Sequence, residues 1–147
     1  QPGTDKPAAF TVPMLDPPNR SATASPSPAM PPVRMLVLTP TRELADQIDQ
    51  SVQGYIKNLP LRHTVLCGGM NMDKQTAALR AGCEIVVATV GPLLDHVKQK
   101  NIHLNKVEIV VLDEADRMLD MGFIHDIRKI MQMRPRQRQA LLFSATF

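Results

Sequence analysis

Asp113-Glu114-Ala115-Asp116 sets three carboxylates directly behind Val107–Leu112, a run rich in β-branched residues. An acid at the end of a buried strand cannot pack apolarly and must face an open crevice. Asp113 has the chemistry to hold Mg²⁺ beside bound phosphates through water. Glu114 has the chemistry to orient and activate an attacking water. Taken alone, the acidic pair reads equally well as a polar strand end running into a solvated turn.

Other reactive or permissive residues follow other apolar runs. Pro40-Thr41-Arg42-Glu43-Leu44 follows the first run and opens a helix. Backbone N–H groups at a helix N-terminus attract phosphate, and Arg42 adds charge there. Gly68-Gly69 lets a backbone approach closely after the second run. Thr89 and Gly91 follow the third, and Ser144-Ala145-Thr146 ends the last. Each of these, by itself, is also ordinary turn chemistry.

The elements that must carry these residues are short and regular. Val33–Thr39, His63–Cys67, Glu84–Thr89, Val107–Leu112 and Ala140–Phe143 read as buried strands. Between them, Leu44, Ile48, Val52 and Ile56 recur every four residues and give one helical stripe. Thr39 reads as that helix's cap, with Pro40 at its first position. Met72–Arg80, Leu93–Lys100 and Phe123–Met131 read as further helices, the last with Phe123, Ile127, Ile130 and Met131 on one face. Gly82 is placed for a left-handed helix end. Strands alternating with helices imply an α/β fold with an open, mainly parallel, doubly wound sheet. In such sheets chemistry collects at the carboxyl ends of the strands.

The 147 residues fit one domain. Asp16–Pro32 holds six Pro in seventeen residues and reads as a disordered connector inserted into that domain. Pro7–Leu15, ahead of it, reads as a short helix. Four Phe, one Tyr and no Trp leave too few aromatics for a base-stacking platform. A net charge of +3 permits a nucleic-acid partner without demanding one. Arg134, Arg136 and Arg138 cluster, but a solvated loop accounts for them better than a phosphate site. Cys67 and Cys83 are not closely paired and have no His set around them, which argues against a zinc site and a disulfide framework. The expected compartment is reducing cytoplasm, with no apolar run reaching the ~18 residues of a membrane span.

Taken in order, PTREL, GG, a Thr-x-Gly element, DEAD and SAT resemble the motif series of DEAD-box ATP-dependent RNA helicases. Asp113–Phe123 (DEADRMLDMGF) is most similar to the bacterial RhlE type. The resemblance covers nearly the whole chain outside the Pro-rich connector. It implies the first of two RecA-like P-loop NTPase domains, with ATP between them and single-stranded RNA across them. By resemblance, Asp113 and Glu114 serve Mg²⁺ and hydrolysis. Asp116, Ser144 and Thr146 couple nucleotide state to domain closure. Pro40, Thr41, Arg42, Gly68, Gly69, Thr89 and Gly91 touch the RNA backbone, which positions RNA without reading its sequence.

The first residues, Gln1–Phe10, resemble the end of the family's phosphate loop, with Gly3, Thr4 and Lys6 as nucleotide-binding positions. Pro2, Asp5 and Pro7 depart from that pattern, in place of Thr, Gly and Thr. Pro7 has neither the backbone N–H that cradles phosphate nor the hydroxyl that binds Mg²⁺. Asp5 brings negative charge toward the phosphates. Pro92 stands where the family's Thr-Pro-Gly-Arg element has Arg, which removes one RNA contact.

The strand expected before the phosphate loop lies upstream of Gln1, so the domain reads as incomplete, and the second domain lies outside the sequence. The absent strand would leave Ala140–Phe143 as an unpaired edge open to a second copy or to capture by the N-terminal segment. Isolated ATP hydrolysis is therefore not expected. The competing reading is a non-catalytic relic that binds RNA weakly or self-associates. A generic α/β enzyme would need a nucleophile–base pair, and none is apparent.

Overall fold

The computed structural model describes residues 31–133 and the backbone of residues 140–144. The expected helix at Pro7–Leu15, most of the Pro-rich connector, Gly3, Thr4 and Lys6 lie outside the described residues, as do the 134–138 arginines and Thr146. Five strands form one sheet: β1 (Met35–Leu38), β2 (His63–Leu66), β3 (Ile85–Ala88), β4 (Ile109–Asp113) and β5 (Ala140–Ser144). Their order is β2-β3-β1-β4-β5, and every neighbouring pair is parallel.

The helices are α1 (Arg42–Ile56), α2 (Met72–Ala81), α3 (Val90–Lys98), α4 (Ala115–Asp120) and α5 (Ile124–Gln132). The chain leaves β1 toward one side of the sheet and then works back across it through β3, β4 and β5. Right-handed crossovers require such a reversal to change the face on which the connecting helix lies. The packing agrees. Ala45, Ile48, Val52 and Ile56 of α1 pack with Met35, Val37, Ile85, Val87, Ile109 and Val111. Leu79, Leu93, Met118, Ile127 and Ile130, from the other four helices, pack with Leu36, Leu38, Val86, Val110 and Leu112. Alternate residues of β1, β3 and β4 thus feed two cores, which is why those strands read as continuous apolar runs.

The amino end of the sheet is stitched by Arg34. Its N–H donates to the Glu84 carbonyl and its own carbonyl accepts from Glu108 N–H. Its guanidinium pairs with the Glu108 carboxylate, with the Arg34 side chain 5% exposed.

Several local expectations are corrected. Thr39 is not the cap of α1: its N–H donates to the Ala88 carbonyl, so it prolongs the strand ladder and is fully buried. The cap is Thr41, in extended conformation, whose hydroxyl accepts from Leu44 N–H at 3.3 Å. The buried stripe of α1 opens with Ala45, three residues before Ile48, and Leu44 is only half-buried. Gly82 ends α2 at φ 94°, ψ 139°, a positive-φ geometry outside the left-handed helical well.

Helix α3 begins at Val90 rather than Leu93, with Gly91 and Pro92 inside its first turn. First-turn N–H groups have no intrahelical partner, so proline there removes no hydrogen bond. Helix α4 occupies the segment that the acidic motif alone allowed to be a solvated turn. Replacing Thr41 by Ala should lower stability by about 1 kcal/mol, the usual worth of an N-cap hydroxyl. Urea unfolding of the two proteins checks it.

Candidate functional site

Parallel register lines up the residues that follow the strands. Ser144 is the register partner of Asp113. Thr39 follows Leu38, the partner of Leu112 on one side and Ala88 on the other. Thr89 and Cys67 follow Ala88 and Leu66, which are themselves partners. One row therefore runs Cys67, Thr89, Thr39, Asp113, Ser144 along the carboxyl edge. It falls into two halves at the junction of β1 and β4, the strands whose outgoing connections lie on opposite faces. Such a switch point is where open α/β sheets form their crevice.

On the β4 side, Asp113 is 1% exposed and closes the row of buried residues in β4. The chain then passes from strand to helix through one residue. Glu114 makes that turn in the left-handed region, φ 54°, ψ 52°, a conformation costing a non-glycine residue roughly 1–2 kcal/mol. The turn sets the carboxylates of Asp113 and Glu114 on different courses: Asp113 is sealed at the strand end, Glu114 half-buried at the start of α4. Glu114 lies 3.9 Å from the half-exposed Arg117 guanidinium, a contact too loose and wet to be worth much. Asp116 is exposed on the first turn of α4.

On the other side, three loops converge. The Arg42 guanidinium reaches the Gly69 carbonyl at 3.5 Å. Gly69 has φ +77°, so the turn needs glycine for its backbone angle, while a Cβ there would stand 3.4 Å from the movable Arg42 Nη1. A Cβ on Gly68 would meet Pro92 at 4.0 Å, which places the start of α3 beside the Gly68–Gly69 turn. Gly68, Gly69, Gly91 and Arg42 are exposed, Thr41 and Thr89 half-buried, and Pro40 buried. Thr89 precedes α3 without capping it and instead hydrogen-bonds with Cys67. Burial pushes the Cys67 thiol above its ordinary value, against the smaller opposing pull of Thr89. Burial raises the Cys83 thiol as well, and both cysteines are free.

The structure therefore brings together Thr41, Arg42, Gly68, Gly69, Thr89 and Gly91, and sets Asp113 beside Ser144. Sequence reasoning missed two features. Thr39 Oγ1 is buried next to Asp113 and has no hydrogen-bond partner among the described residues. Gln75 and His96 are buried polar residues within the apolar stripes of α2 and α3. Their signal was a polar side chain at the period reserved for the core.

A profile of the DEAD/DEAH box helicase family matches residues 1–147. The chain belongs to that family. It is 46% identical to an ATP-dependent RNA helicase RhlB of Pseudomonas syringae over 100% of this chain and 38% of that protein. It is 40% identical to the DEAD-box ATP-dependent RNA helicase CshA of Bacillus subtilis over 99% of this chain and 28% of that one. The crystal structure of a DEAD box protein from Methanococcus jannaschii superposes with a TM-score of 0.72 at 40% identity, covering 79% of this chain and 32% of the other. The chain thus spans about two fifths or less of these relatives' lengths. Relatives named RhlB and CshA leave the narrower RhlE resemblance unconfirmed, while the α/β RecA-like expectation holds.

The left-handed backbone at Glu114 gives a direct test. Glu114→Gly should leave the melting temperature unchanged or raised. Glu114→Val should lower stability by about 1–2 kcal/mol, because a β-branched residue fits that region worst.

Proposed function

We propose that this chain works as part of an ATP-dependent RNA helicase motor, with nucleotide and metal served by the β4–β5 half of the carboxyl edge and RNA backbone held by the β2–β3–β1 half. The observation that carries this reading is the division of one sheet edge at the switch point. Asp113 and its register partner Ser144 lie on one side, and the Thr41, Arg42, Gly68, Gly69, Thr89 and Gly91 cluster on the other.

The residues present fit Mg²⁺ and a nucleotide. Mg²⁺ usually takes one or two carboxylates, with water and phosphate oxygens filling its other positions. A sealed carboxylate, Asp113, beside an orphaned hydroxyl, Thr39, suits that pattern. Among the described residues no group of three or more His, Cys, Asp or Glu side chains forms a complete protein cage. When bound, the metal neutralises charge on the transferring phosphoryl group. Asp113 would offer its carboxylate to the metal from the strand end, and Glu114 would orient water and accept its proton. Asp116, Ser144 and Thr146 couple that event to closure against a second RecA-like domain.

The donors gathered on the other half are a guanidinium, hydroxyls and backbone N–H groups around small residues. These grip phosphate and sugar, not base edges, so the partner is RNA of any sequence. Duplex opening follows from bending one strand while the nucleotide keeps the domains shut. Among the described residues no helix is long and apolar enough to cross a membrane. The likeness to bacterial RNA helicases supports a bacterial cytoplasmic setting.

Gly3, Thr4 and Lys6 supply the phosphate-loop positions, and Asp5 and Pro7 weaken them enough that the chain by itself does not turn over ATP. Isothermal titration should show no ATP binding at millimolar nucleotide. Restoring Asp5→Gly and Pro7→Thr together should create Mg²⁺-dependent binding. Glu114→Gln in the repaired protein should retain that binding and cut hydrolysis by on the order of 100-fold. Continued failure of the repaired protein to bind would rule out loop chemistry as the cause.

One observation favours a second role beside this one. Among the described strands, β5 hydrogen-bonds only to β4, and an open strand edge invites another chain. We infer pairing of two copies through Ala140–Phe143. Light scattering should give a dimer mass, with those backbone amides protected from exchange. A monomer with freely exchanging β5 amides would contradict it.

A further inference from the structure

Behind the Gly68–Gly69 turn, a chain of buried polar groups crosses from α3 to α2 and ends on the turn itself. Gln75 is 3% exposed and His96 0%. The Gln75 side-chain amide donates to the Cys67 carbonyl at 2.9 Å. Its oxygen lies 3.0 Å from His96 Nε2. The other ring nitrogen, Nδ1, lies 3.2 Å from the Asn101 amide nitrogen.

These contacts leave one proton arrangement. The Gln75 amide nitrogen is committed to a carbonyl, so its oxygen faces His96 and can only accept. His96 Nε2 must then carry the hydrogen. Nδ1 is left as an acceptor, and the Asn101 amide supplies its donor. Burial keeps His96 neutral by holding its pKa below the ordinary value, with the Asp95 carboxylate pulling weakly the other way.

Moving the hydrogen to Nδ1 would set two donors against each other at Asn101 and two acceptors against each other at Gln75. Relieving the second clash by turning the Gln75 amide would bring its oxygen against the Cys67 carbonyl. The carbonyl is therefore held in one tautomer only. Asn101 is itself anchored, its N–H donating to the His96 carbonyl and its side chain reaching Thr76 and Gln99.

The Cys67 carbonyl belongs to the same rigid peptide unit as the Gly68 N–H. Fixing one fixes the direction of the other. We propose that Asn101, His96 and Gln75 are positioning residues for the RNA-facing turn, setting the Cys67–Gly68 peptide plane through the Nε2–H tautomer of His96. The inference rests on the RNA-facing reading for its purpose, but not for its geometry. It also ties the Gly68–Gly69 turn to α3, the helix that Thr89 and Gly91 begin, so that the two loops keep one spacing.

The test uses the ¹⁵N-labelled full chain with two variants, Gln75→Met and Asn101→Ala. Asn101 is half-buried and remote from the turn in sequence, so its variant keeps the test decisive if Gln75→Met does not fold. Long-range ¹H–¹⁵N spectra should show His96 as the neutral Nε2–H tautomer. Each variant should shift the Gly68 amide resonance and speed its exchange, and Asn101→Ala should redistribute the His96 tautomers. Affinity for a short single-stranded oligouridine should fall about tenfold in Gln75→Met, the scale of one lost hydrogen bond, and by less in Asn101→Ala.

A role in packing alone would lower the melting temperature without moving the Gly68 resonance. That result, or an Nδ1–H tautomer in the unaltered protein, overturns the proposal. So does a Gly68 signal blind to Asn101→Ala. If the unaltered chain fails to bind oligouridine, the RNA-facing reading falls, while the tautomer and the Gly68 resonance still decide the positioning role.

Discussion

A parallel strand covered by helices on both faces has only its ends on which to display polar groups, and that constraint organises this molecule. The interiors of β1, β3 and β4 are buried and apolar throughout. Asp113 closes β4, and Thr39 and Thr89 take the next positions on β1 and β3. Because the strands are in register, polar groups that are far apart in sequence become neighbours in one line. The reversal of connection direction at β1 and β4 then opens that line into a crevice. Site assembly thus follows from strand polarity and crossover handedness, before any particular side chain is considered.

Much of this was legible from the residues. The short apolar runs marked all five strands, and the four-residue repeat of Ile48, Val52 and Ile56 marked α1. What failed was local. Thr39-Pro40 looked like a cap and a first helical residue, but the ladder bond to the Ala88 carbonyl extends the strand by one position and passes the capping role to Thr41. The helix expected from Leu93 starts three residues earlier and takes in Gly91-Pro92, since a first turn has no hydrogen bond for proline to disrupt. The first error is tertiary, because the strand partner at Ala88 decides where the helix can be capped; the second is local to the first turn.

The acidic motif shows the same limit from the other side. Its residue types and its place after an apolar run pointed to a crevice. The one-residue turn at Glu114 did not announce itself, since glutamate gives no sign that it will adopt a left-handed backbone. Nor did the buried polar pair in α2 and α3. A glutamine in α2 and a histidine in α3 read as surface residues until Asn101, beyond the end of α3, and the Cys67 carbonyl, just after β2, come within reach. Periodicity can flag a polar residue at a core position, but it cannot name the distant group that satisfies it.

Arg34 leaves the two ends of the sheet mechanically unequal. By bonding to the residues that lead into β3 and β4, it behaves as a rivet at the base of three adjacent strands. Strands riveted at the base accommodate a change in mutual twist mostly at their tips. A load applied at the carboxyl tips would fan them apart or draw them together around a fixed pivot. Small displacements on the Ser144 side would then be carried sideways to the Gly68 side by a plate that bends at one rim only.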